Sequence, residues 1–140
     1  MRARSFGLAG AAALAAGTAL AATARACPTA GEGFQRLASP QAEGAYRWQP
    51  ADLKVGRFFA AEMIACRTSG SEAVRQIIID AQMPAHGHGM NYRPTLAACG
   101  PNCFRATGLM LHMPGRWRMT FDLVQGDRRT RLTHEVNLKP

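Results

Sequence analysis

His86 and His88 are separated by a single glycine, and Met83 and Met90 bracket them in the stretch AQMPAHGHGM, residues 81–90. In an extended chain, residues two apart point to the same side, and in a glycine-flexed loop they converge. Imidazole and thioether donors together suit copper, because thioether sulfur favours Cu(I) while imidazole accepts Cu(I), Cu(II) or zinc. A second group of the same types, Met110-Leu111-His112-Met113, precedes Pro114 and Gly115. If the two groups lie on loops at the same end of a fold, His112 faces His86 and His88. The metal-binding candidates are therefore His86, His88, Met90 and His112, with Met83 and Met113 as further thioethers. Their nitrogens must come within about 2.0–2.2 Å of one ion, with sulfur somewhat farther away.

Each of these residues also has an ordinary structural role. Met83 closes an Ile-rich segment and Met110 lies between Leu109 and Leu111, positions where methionine fills core space. Met113 and Met119 have the same explanation, Met119 packing beside Trp117. Gly87 and Gly89 serve a tight loop with or without an ion, Pro84 ends a strand, and histidines in such a loop can simply be solvated. His134, on the last alternating segment, is a weak ligand candidate.

Other chemistry finds little support. There is no nucleophile elbow with a Ser/His/Asp order and no phosphate-cradling glycine loop, so no enzyme is expected. The Cys99-Gly-Pro-Asn-Cys103 pair admits a thiol oxidoreductase, but a hairpin tip offers no helix dipole to stabilise a thiolate, which favours a structural disulfide.

The elements that must carry these residues begin after a leader. Residues 1–26 open with Arg2 and Arg4, continue through an Ala/Leu/Gly run and end in Ala24-Arg25-Ala26, the pattern of a cleaved signal peptide. The alternatives are retention of this segment as a membrane anchor and lipidation at Cys27, although the residues before Cys27 lack the leucine expected of a lipidation site. Cleavage removes three arginines, leaving 14 Lys and Arg against nine Asp and Glu, a net charge of +5. The cations are dispersed without an aromatic ladder, and nucleic-acid binding is not expected. No stable membrane span is expected once the signal is removed.

All four cysteines lie beyond that cut, and an even number in an exported chain reads as two disulfides. A Gly-Pro-Asn turn places Cys99 and Cys103 across a hairpin within bonding distance, which leaves Cys27 to pair with Cys66. Residues 27–44 are rich in Ala, Gly, Pro and Ser and read as an extended leader, with ordered structure beginning near Tyr46. Residues 45–140 form one domain. Its strands are expected from Tyr46, over 53–66, 74–81, 94–98, 104–112, 116–124 and 128–138, the last two with the clearest two-residue alternation. About seven short strands and no convincing helix predict an all-β, antiparallel immunoglobulin-like β-sandwich, with a small closed barrel as the second choice. In a sandwich, loops from different strand pairs gather at one end, and that would bring His112 to His86 and His88.

The order Leu53-Lys-Val-Gly-Arg-Phe58, Met83-Pro-Ala-His-Gly-His-Gly-Met90, then Gly108-Leu-Met-Leu-His-Met-Pro-Gly-Arg-Trp117 resembles the YtkA-like/FixH-like family of small exported domains, from about Tyr46 to Leu138. The Cys99/Cys103 turn departs from that family's usual Gly/Asp hairpin. The resemblance implies an immunoglobulin-like sandwich outside the cytoplasm, associated with copper handling or cytochrome oxidase assembly. By position, Met83, His86, His88 and Met90 match its Met/His loop, and His112 and Met113 its later strand end. The expectation is thus a periplasmic or secreted monomer that binds copper for delivery or buffering, with a copper-accepting or oxidase-assembly protein as partner. The competing expectation is a metal-free protein-interaction module that meets an acidic partner through Arg116, Arg118, Arg129 and Arg131.

Overall fold

The computed structural model describes residues 27–28, 32–70 and 72–140; residues 1–26, which the sequence suggests are a signal peptide, lie outside them. Among the described residues nine strands form: β1 (Gln35–Ala38), β2 (Ala42–Gln49), β3 (Phe58–Thr68), β4 (Gln76–Met83), β5 (His88–Gly89), β6 (Thr95–Gly100), β7 (Cys103–Met110), β8 (Gly115–Gln125) and β9 (Arg128–Leu138). They make two antiparallel sheets, ordered β1-β2-β3-β7-β6 and β5-β4-β8-β9. The protein is an all-β antiparallel sandwich, the architecture of immunoglobulin-like domains.

Alternation explains the core. In β8, Trp117, Met119, Phe121 and Leu123 are buried, and their register partners in β9 include Leu132 opposite Phe121. From the other sheet, Tyr46, Trp48, Phe59 and Met63 meet them, with Tyr46 and Phe121 rings 4.9 Å apart. Such aromatic pairs add to the apolar burial that holds two sheets together. Asp122 points to the opposite face of β8 yet is also buried, because Arg131 opposite it in β9 donates from Nε and Nη2 at 2.6 and 2.8 Å.

Two strands exceed the expected seven. One is β5, only two residues long, and the other is β1, which lies inside the stretch read as an extended leader. Order therefore begins well before Tyr46. The cause is tertiary: Cys27 bonds Cys66, and Phe34 packs with Ala45, Ile64 and Cys103 as a small apolar cluster apart from the main core. The Arg47 guanidinium sits 4.6 Å from the Phe34 ring centre, closing that cluster. Composition alone hides this, since the segment's partners are the β2 ladder, the disulfide and the Phe34 cluster.

The strand expected over 53–66 starts later, at Phe58. Gly56 adopts a left-handed φ of 68° and donates its N–H to Leu111 O at 2.9 Å, so residues 53–57 form a loop against the segment that follows β7.

Both disulfides pair as the sequence predicts, with Cα separations of 4.9 Å for Cys27–Cys66 and 5.0 Å for Cys99–Cys103. The hairpin differs in detail. Gly100 rather than Cys99 lies opposite Cys103, and a register shift follows Ala98, so the turn itself is Pro101-Asn102, with Asn102 at a φ of 48°. The bulge lets Cys99 reach across to Cys103. No helix among the described residues is long and apolar enough to cross a membrane.

Candidate metal centre

β4, β7 and β8 bring the two His/Met groups to one end of the sandwich. β4 runs to Met83, and Pro84–His86 make a single 3-10 turn closed by Gly87 in the left-handed conformation, φ 63°. Gly87 N–H donates to Met83 O at 3.1 Å, and Met90 N–H donates to Ala81 O at 2.8 Å. The chain thus doubles back on β4, with His88 opposite Met83 in β5. Directly opposed residues of an antiparallel pair project to the same side. Since Met83 points into the core, His88 points toward the sandwich interior and is half-buried.

His112 arrives from the other sheet. β7 ends at Met110, Leu111 is buried, and His112 and Met113 bridge to β8. Trp117 Nε1–H donates to Met113 O at 3.0 Å, which fixes this bridge on the buried indole. The His88 and His112 ring centres are 5.4 Å apart, and the Trp117 ring is 6.3 Å from His88 and 5.4 Å from His112. His86 is exposed on the 3-10 turn, its ring centre 5.7 Å from that of His88.

His88 Nε2 and His112 Nδ1 are both buried and have no hydrogen-bond partner. Four buried side-chain nitrogens and oxygens among the described residues are unpartnered, and these two are half of them. Leaving such an atom without a partner costs about 1–3 kcal/mol, so two in adjacent rings favour a shared partner. A metal ion would satisfy both lone pairs. Two imidazoles sharing an ion at about 2.0–2.1 Å have ring centres roughly 5–6 Å apart at tetrahedral or trigonal angles. The observed separation lies in that range, so the residues fit a soft or borderline cation.

The remaining candidates take different places. Met90 and Met113 are half-buried beside the histidines that they flank in sequence and pack against the main core. Met83 is only 2% exposed and its side chain belongs to the core. A Cβ added at Gly115 would come within 2.7 Å of Met83 Cε, so the thioether methyl lies tight beneath the start of β8. His134 lies elsewhere, 5.5 Å from the Tyr46 ring, where burial lowers its pKa and Glu135 acts weakly in the opposite direction. Among the described residues, no three His, Cys, Asp or Glu side chains gather closely enough to hold one ion. The convergence is pairwise, His86 with His88 and His88 with His112.

Two features escape the sequence reading. Trp117 is more than core, since its ring contacts both inner histidines; its place just after the Met-Pro-Gly turn that follows His112 was the available signal. Phe58 and Tyr92, 60% and 41% exposed, form an edge-to-face pair at 5.3 Å. Phe58 is the register partner of Met110, and Tyr92 follows Met90 by two residues, so this pair flanks the histidines. On the arginine face of β8 and β9, Arg116 and Arg118 share Glu135, and Arg129 and Arg131 share Asp122, so four cations meet two carboxylates and the face stays net positive.

No family model, curated protein or solved structure matches this chain.

Proposed function

We propose that this chain is an exported β-sandwich domain that binds Cu(I) at one end of the sandwich, for delivery or buffering of copper outside the cytoplasm. The observation that carries the reading is the pair of buried, unpartnered nitrogens, His88 Nε2 and His112 Nδ1, in rings 5.4 Å apart. Met90 and Met113 would supply the soft donors that bias the site toward Cu(I). Trp117 would exclude water from one side. Two disulfides support an oxidising compartment, for which the periplasm is the reading favoured by the leader. The motif order shared with the YtkA-like/FixH-like family supports the same role and an oxidase-assembly or copper-accepting partner. Nothing in this role requires substrate turnover.

Anaerobic Cu(I) titration of the exported protein tests the proposal against the His88→Ala/His112→Ala double variant. One equivalent is expected to bind tightly to the wild type and to be lost in the variant. Equal weak binding by both would remove the copper reading. The second reading, a metal-free interaction module, draws on the exposed Phe58–Tyr92 pair and on the arginine face, where four arginines share two carboxylates. It is favoured if the titration finds no site.

A further inference from the structure

The three histidines are not equivalent. His88 and His112 each hold a buried, unpartnered nitrogen in rings 5.4 Å apart, whereas His86 is exposed on a turn with no buried residue. An ion held only by buried donors has no direct route to a donor on another protein. Low-coordinate Cu(I) changes partners by adding an incoming ligand before losing an old one, so handover needs a donor at the surface that also reaches the inner site. The His86 ring lies 5.7 Å from that of His88, within the roughly 5–6 Å spacing of two imidazoles on one ion.

The loop's construction supports this division. It is pinned on both sides, at Met83 by the core and at Met90 by its N–H bond to Ala81 O. Between those anchors His88 is held in the β5 pairing, while the 3-10 turn bearing His86 ends at Gly87, around which a Cβ would meet nothing within 4 Å. The turn therefore has open space around it, and His88 does not.

Building on the copper reading above, we infer that His86 is a transfer ligand: it joins the ion with His88 during loading and release and contributes little to resident affinity. Transfer involves no redox change. The Cu–N bond to His112 would be replaced by one to His86, the bond to His86 by one to the acceptor's first donor atom, and the remaining bonds to His88 and any thioether by further acceptor donors, copper remaining Cu(I) throughout.

The test measures Cu(I) exchange with the soluble chelator bicinchoninate by stopped flow, together with equilibrium competition for Kd. His86→Ala is expected to slow exchange about tenfold while Kd changes less than about threefold, and His88→Ala to weaken Kd by at least about a hundredfold. His86→Met, which restores a soft donor at the same exposed place, is expected to recover most of the rate. Imidazole nitrogen NMR of the loaded wild type should show the His88 and His112 rings metal-shifted and His86 near its free position. Unchanged exchange in His86→Ala with intact affinity overturns the transfer role alone. A Kd loss in His86→Ala as large as that in His88→Ala also overturns it, making His86 a resident ligand. Absence of Cu(I) uptake by the wild type defeats the copper reading and the transfer role together.

Discussion

At the residue scale, burial and pairing distinguish histidines that look alike on paper. His88 and His112 each keep a buried nitrogen without a partner, while His134, equally isolated in sequence, packs on Tyr46 and has its pKa lowered by burial. The His134 effect has a definite pH signature. Its folded pKa lies below the ordinary 6.5, so the unfolded chain binds the proton more readily. Stability from this group is therefore complete above that value and declines as pH falls from it toward the folded pKa. Urea midpoints measured on metal-free protein between about pH 7.5 and about pH 5.5 should fall more steeply in the wild type than in His134→Gln. Parallel slopes would show that His134 does not contribute.

At the element scale, Met83 and His88 illustrate how two adjacent strands sort one motif into core and site. Both belong to the same Met/His stretch, but Met83 ends β4 within the core, and His88 pairs opposite it where the sandwich opens. Met83→Ala should therefore destabilise the fold by about 2–5 kcal/mol, through lost burial and the cavity left behind. Cu(I) stoichiometry at low temperature should be unchanged. Loss of copper binding in a variant that remains folded would instead make Met83 a ligand. The periods of β8 and β9 were readable from sequence because each residue's facing is set locally by the strand's two-residue repeat. β1 and the late start of β3 were not: one rests on its ladder with β2 and the packing of Phe34 on Ile64 and Cys103, the other on Gly56 bonding to Leu111.

At the scale of the whole molecule, the two disulfides differ in what they constrain. Cys27–Cys66 spans 39 residues of sequence and Cys99–Cys103 only four. Loop-closure entropy gives about 4 kcal/mol for the first and about 2 kcal/mol for the second. The Cys27→Ser/Cys66→Ser variant should accordingly lose more stability in urea than Cys99→Ser/Cys103→Ser. It should also release Phe34 from its cluster, with faster amide exchange in β1. The reverse order of stabilities would mean that the tip of the β6–β7 hairpin, rather than the N-terminal tie, limits unfolding.

The amino-acid sequence by itself determined the all-β class, the faces of the long strands, the two cysteine pairings and the His/Met types needed for a metal reading. These depend on local periodicity, turn chemistry and donor identity, all of which are carried by neighbouring residues. Only the tertiary structure decided that His112 meets His88, that Trp117 lies against both, that Met83 belongs to the core and that His86 stays outside. Those placements depend on the register of β4 with β5 and β8 and on the packing of one sheet over the other, which join residues far apart in the chain.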